Sequence, residues 1–237
     1  MKNFKSAYIL FSISFAVVMF TAIFLEKECL VFVKPLPVIS LIIVYFRNTL
    51  KIVFWYPISM LILSISDIMV YIDFVKYFNE IALVIIVYYL ISTYLLYEYI
   101  SIKDIKIKKV FSLPILISVV LIIYLIYSIT TLILPNLKGS IVSFFLILIA
   151  QMLFVNVCFL IYMIDKYQGN YKLFITACGC FFVNAILVIN YFYFYSRVFT
   201  VLVNFAEIMA LYFFARFLID IKQISNSKKD MIDHYEV

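Results

Sequence analysis

Apolar runs long enough to cross a lipid bilayer dominate this chain of 237 residues. Each approaches the roughly 20 residues that an α-helix needs to span a hydrocarbon layer about 30 Å thick. Apolar residues make up 67% of the chain and charged residues 14%, against roughly 45–50% and 25% in soluble domains. The sequence therefore predicts an all-α fold, a polytopic transmembrane bundle of about eight helices. The runs cover residues 6–25, 30–46, 52–72, 81–100, 110–134, 140–164, 171–195 and 198–218.

The number of spans depends on the second run, which is the shortest. Pro35 and Pro37 lie in its first turn, where proline is tolerated. We expect eight spans, or seven if the second run is re-entrant. The first run is too long for a secretory signal and indicates a retained helix. A single bundle is expected over residues 1–221, followed by a short polar tail, 222–237, that is disordered and exposed to water.

The orientation follows from the positive side chains. With eight spans, 14 of the 19 Lys and Arg residues lie on the side that carries both termini. The positive-inside rule therefore predicts that both termini are cytoplasmic. We expect an integral protein of the bacterial inner (plasma) membrane.

Several other functional classes are disfavoured by the same composition. The net charge of +6 does not indicate nucleic-acid binding, because the lysines lie in short segments between apolar runs. Three glycines leave little room for a glycine-rich phosphate loop. Cys178 and Cys180 face different sides of a helix without a histidine nearby, so we expect no metal site and no cofactor.

Four polar side chains of the predicted spans occupy one layer between the outer interface and the midplane. By the helical rise of about 1.5 Å per residue, Asp67 lies roughly 9 Å from the outer end of its span, Glu207 roughly 14 Å and Asn184 roughly 15 Å. Lys34 begins the second span from the same side. Since ionisable groups are expensive in lipid, we expect these four residues to converge on one cavity that opens toward the outer half of the bundle.

Helical spacing strengthens this expectation. Asp67 and Tyr71 share one face of the third span, and Asn204 and Glu207 share one face of the eighth. Such polar stripes turn away from lipid. They are open to two interpretations. One is interhelical hydrogen bonding, with Lys34 pairing with Asp67 or Glu207; the other is a water-accessible pocket in which a buried carboxyl acts as an acid.

Short motifs in four spans resemble those of the YhhN-like lysoplasmalogenase family of eight-span membrane proteins. The clearest similarity is Lys34-Pro35-Leu36, which is similar to the family's Lys-Pro-Leu signature. The other motifs are Ser66-Asp67, Phe181-Phe182-Val183-Asn184 and Tyr212-Phe213-Phe214-Ala215-Arg216.

The resemblance implies hydrolysis of the vinyl-ether bond of lysoplasmalogens to a fatty aldehyde and a glycerophospho-alcohol. Asp67 corresponds to the first of two family aspartates and would be the acid. Asn184 stands in place of the second, where it would orient water, and Glu207 would replace the lost carboxylate. Lys34, Tyr71 and Asn204 are expected to bind substrate.

The chain departs from the family's pattern in three places. Asn184 cannot ionise, Tyr88 and Tyr89 stand in the region of a family histidine, and Arg216 replaces a glutamine. Two alternatives therefore stay open: a catalytically inactive family member that binds lipid, and a small proton- or ion-coupled transporter. The spans lack the glycine and proline interruptions expected of broken transport helices. The expected partner is a membrane lipid or lysolipid and not nucleic acid, and a homo-oligomer is possible.

Overall fold

The computed structural model describes residues 2–49, 52–100, 113–136 and 139–235, and this part of the chain contains helices and no strand. The helices are α1 Lys2–Phe24, α2 Leu30–Val33, α3 Pro35–Asn48, α4 Trp55–Asp73, α5 Phe78–Tyr97, α6 Leu113–Ile133, α7 Ile141–Ile164, α8 Tyr171–Phe192 and α9 Arg197–Tyr235. The predicted all-α transmembrane bundle is confirmed.

Helices α2 and α3 form one span with a junction at Lys34. The backbone of Lys34 is helical (φ −59°, ψ −35°), and its N–H donates to the carbonyl of Leu30 at 2.9 Å. Pro35 follows as the first residue of α3, where its missing N–H breaks no helical bond. With the short 3-10 turn before it, this unit covers Lys27–Asn48 and is long enough to cross a membrane. The re-entrant alternative is therefore disfavoured.

Seven helical units in the described residues are long and apolar enough to span a bilayer. The eighth, α6, is apolar from Val119 to Ile133. Large apolar side chains also cover the outer surface, for example Leu83 (64% exposed) and Val142 (71% exposed). In water such a surface would drive aggregation, whereas lipid solvates it.

Helix α9 packs against α8, α1 and α3, and α5 packs against α4 and α7. The contact between α8 and α9 is tight at Gly179. A Cβ atom built there would lie 2.8 Å from the Cβ of Ala210 and 3.4 Å from the carbonyl oxygen of Ala206. Small residues therefore let the two helices that carry Asn184 and Glu207 approach closely.

The predicted disorder of the tail is wrong, because α9 continues through residues 222–235 without interruption. No glycine or proline occurs between Arg197 and Val237, so nothing in the sequence ends the helix at the membrane surface. Some positive residues used to predict the orientation lie outside the described residues: Lys51, Lys103, Lys106, Lys108, Lys109 and Lys138.

Candidate functional site

A buried ion pair joins the second span to the last one. The side chain of Lys34 is 2% exposed, and its Nζ lies 2.5 Å from Oε2 of Glu207. The same ammonium group donates a hydrogen bond of 2.9 Å to Oδ1 of Asn204. Because Asn204 and Glu207 are three residues apart on α9, both reach Lys34 from one helix face. Of the two predicted partners for Lys34, the structure selects Glu207.

Asn204 connects this ion pair to α4. Its Nδ2 donates to the hydroxyl of Tyr71 at 2.7 Å and to the carbonyl of Thr200 at 2.7 Å. The ring of Tyr71 also lies beneath the ammonium group of Lys34, with Nζ 5.9 Å from the ring centroid. Asn204 is completely buried. These contacts fix the position of Lys34 within the low-dielectric interior.

Asp67 is 6% exposed. Asp67 and Glu207 line the same cavity. Oδ2 of Asp67 and Oε1 of Glu207 are both buried, and neither receives a hydrogen bond from the described residues. A carboxylate oxygen can only accept, so each of these oxygens is open to a donor from a ligand or from water.

A cavity of about 520 Å³, its open mouth included, lies beside the two carboxyl groups. Its walls come from α4, α5, α8 and α9, and Asp67, Asn184 and Glu207 all line it. Three of the predicted site residues thus meet at one cavity. Lys34, Tyr71 and Asn204 do not line it. Their predicted role in substrate binding stays a prediction; Lys34 contacts Glu207 and Asn204, and Asn204 contacts Tyr71.

Two tyrosines that the sequence did not mark as site residues also line this cavity. Asn184 donates from Nδ2 to the hydroxyl of Tyr89 at 2.6 Å. This bond leaves Oδ1 of Asn184 and the phenolic hydrogen of Tyr89 available to a ligand or water. The hydroxyl of Tyr88 is buried and has no hydrogen-bond partner among the described residues. A buried tyrosine normally has a hydrogen-bond partner for its hydroxyl. Two adjacent tyrosines inside a predicted span are therefore the sequence signal that could have identified these cavity residues.

A second, more apolar cavity of about 620 Å³ adjoins the first, between α5, α6, α7 and α8. All its lining side chains are apolar except Gln151 and Asn184. Ile85, Asn184 and Leu187 line both cavities. A cavity that carries two carboxyl groups in a largely apolar wall therefore borders directly on a still more apolar groove.

Comparison of the chain with protein-family models, with curated proteins and with solved structures gives no match. The similarity to the YhhN-like family consequently rests on the short motifs alone and stays a prediction. The chemistry open to the site depends on its own geometry.

Proposed function

We propose that this protein is an intramembrane hydrolase that cleaves the vinyl-ether bond of lysoplasmalogens to a fatty aldehyde and a glycerophospho-alcohol. The observation that carries the proposal is the pair of carboxyl groups, Asp67 and Glu207, on one cavity inside the membrane. A structural ion pair between Lys34 and Glu207 would not require the second carboxyl. The Lys34-Pro35-Leu36 motif supports the same function by resemblance.

The reaction needs a proton donor and a group that accepts a proton from water. Asp67 would donate its proton to the vinyl carbon farther from the ether oxygen, which leaves an oxocarbenium ion at the carbon bonded to oxygen. Water would add to that carbon and lose a proton to the carboxylate pair. The resulting hemiacetal would collapse to the aldehyde and the glycerol hydroxyl, so one water molecule is consumed and the acid is regenerated.

The remaining residues have roles that follow from their contacts. Lys34 would hold the carboxylate of Glu207 in place through the 2.5 Å ion pair, so that this group can stabilise the developing positive charge. Asn184, itself bound to Tyr89, would orient the attacking water. Lys34 is then a positioning residue, whereas Asp67 and Glu207 are the catalytic residues.

The hydrocarbon chain of the substrate would enter the apolar groove. Its lining side chains are apolar except for Gln151 and Asn184. The residues shared with the first cavity, Ile85, Asn184 and Leu187, would lie where the chain meets the ether oxygen. An amphiphile with one chain suits this combination of a cavity that carries two carboxyl groups and an apolar groove.

We further propose that the protein resides in a bacterial plasma membrane with both termini in the cytoplasm. The support is the excess of Lys and Arg on the side of the termini. Asp67 and Glu207 would then lie in the outer half of the membrane. A lysolipid of the outer leaflet would reach them without crossing the bilayer.

The test is aldehyde release by the purified protein in nanodiscs, with lysoplasmalogen and a 1-acyl lysophospholipid compared side by side. We expect aldehyde from the first substrate alone. Asp67→Asn should reduce the rate by about 10²–10⁴-fold, the usual contribution of a general acid. Asp73→Asn is the matched control, because Asp73 is an exposed residue at the end of the same helix and should retain the wild-type rate.

Two results would overturn the hydrolase proposal. Wild-type protein that binds lysoplasmalogen without releasing aldehyde would be a lipid-binding protein. Proton movement into vesicles without any turnover would identify a transporter. Full activity of Asp67→Asn would refute the mechanism even if aldehyde were released.

A further inference from the structure

An aromatic cleft lies at the opposite end of the bundle from the carboxyl pair. Its volume is about 450 Å³ with its open mouth included, and it is formed where α3 and α5 end, where α4 begins, and by the middle of α9. Its centre is remote from the candidate catalytic site, because Trp55 and Asp67 are separated by 12 residues of α4, or about 18 Å. The residues lining the cleft are Tyr45, Val53, Trp55, Tyr94, Leu95, Glu98, Tyr99 and Leu218.

Aromatic rings form half of the lining. Tyr45 is buried at 1% exposure, and its hydroxyl accepts a hydrogen bond from the backbone N–H of Val53 at 3.2 Å. Trp55 and Tyr94 are 48% and 63% exposed, with ring centroids 6.2 Å apart in an edge-on arrangement. The cleft therefore has a buried ring in its wall and two accessible rings.

Among the described residues that line the cleft, Glu98 is the one that carries a charge, and it is exposed. Burial, together with the nearby carboxylate of Glu98, raises the pKa of Tyr99 to about 12. At neutral pH the phenol of Tyr99 is therefore uncharged. A ligand in this cleft would meet aromatic faces, which carry partial negative charge, and one carboxylate.

We propose that this cleft binds a quaternary ammonium group of the choline type. Aromatic faces attract such a cation without having to hydrogen-bond it, and a methylated ammonium has no N–H to satisfy. Glu98 supplies the countercharge. The cleft lies at an end of the bundle, where lipid head groups meet the protein, so a choline-type head group can reach it.

The chain offers a built-in reporter for this site, because Trp55 is its only tryptophan. The fluorescence of purified protein in a detergent without a choline group should change saturably on titration with phosphocholine. The neutral isostere 3,3-dimethylbutyl phosphate, in which carbon replaces the ammonium nitrogen, should give no saturable change. An equal response to the two probes would overturn the proposal.

Substitutions separate the cation site from general interfacial binding. Tyr94→Leu should weaken phosphocholine binding by about 2- to 20-fold, the range expected for loss of one cation–π contact. Glu98→Gln should weaken it as well, whereas the matched control Glu80→Gln, at the other end of α5, should not. Unchanged affinity in both Tyr94→Leu and Glu98→Gln would refute the site. Asp67→Asn should leave binding intact, so the result does not depend on the hydrolase proposal.

Discussion

Replacement of Lys34 by methionine tests the central ion pair. Methionine preserves much of the length and apolar volume of the lysine stem but removes the ammonium group. The 2.5 Å contact with Glu207 and the 2.9 Å hydrogen bond to Asn204 are then lost together. Oε2 of Glu207 and Oδ1 of Asn204 remain in the interior without their donor.

The expected cost is large because Lys34 is 2% exposed. Removing one partner of a buried ion pair destabilises a protein by about 3–5 kcal/mol, since the other charge stays uncompensated. The double variant Lys34→Met, Glu207→Gln removes both charges and should recover at least about 1 kcal/mol relative to the sum of the single variants.

The assay is reversible unfolding in mixed micelles by increasing the mole fraction of denaturing detergent, followed by circular dichroism. Lys76→Met is the matched control, because Lys76 is exposed in the turn between α4 and α5. It should change stability by less than about 0.5 kcal/mol. A cost below about 1 kcal/mol for Lys34→Met, or purely additive single variants, would show that the ion pair does not support the site.

Three further predictions follow from other parts of the molecule. Gly179→Val should destabilise the bundle by about 1–3 kcal/mol, because the new side chain would overpack against Ala210. The control Cys178→Val, at the exposed neighbouring residue, should not, and equal melting temperatures of the two variants would contradict the tight α8–α9 contact. Asn184→Asp should raise the rate of aldehyde release by up to about 10²-fold, because it adds a second acid–base group to the cavity that Asp67 lines. An unchanged or lower rate would exclude an acid–base role for residue 184. Reporter fusions after residues 109 and 229 should be cytoplasmic and one after residue 138 external, and opposite signals at the two ends would require an odd number of spans.

The spans could be predicted closely from the sequence because their length is set by the bilayer. The run predicted at 140–164 is observed as Ile141–Ile164, and that at 171–195 as Tyr171–Phe192. The tail was mispredicted because polarity was taken to indicate disorder, although a polar segment without glycine or proline can continue a preceding helix. Hydropathy determines where a helix leaves the membrane and not where it ends.

The depth of Lys34 and Glu207 could also be predicted, but their pairing could not. Asp67 and Glu207 lie in the same layer, so depth alone left both as partners of Lys34. The choice depends on rotation about the helix axes and on Asn204, which bonds to Lys34 and Tyr71 at once. The aromatic cleft gave no sequence signal, since its residues come from four separate segments with no fixed spacing.

The polar residues could serve only to hold the helices together. The hydrogen bonds that each of them makes, or lacks, bear on this question. Lys34, Asn204 and Tyr71 are joined by direct contacts, and a network of this kind is sufficient to connect α3, α4 and α9. Asp67 makes no hydrogen bond within this network, and it brings a second buried carboxyl group to the cavity that Glu207 lines. Oδ2 of Asp67 and Oε1 of Glu207 receive no hydrogen bond from the described residues. The carboxyl of Asp67 is costly in lipid, and the helices are connected without it. A role in holding a proton at the cavity would explain its presence. The excess carboxyl, more than the ion pair, therefore favours chemistry at this site.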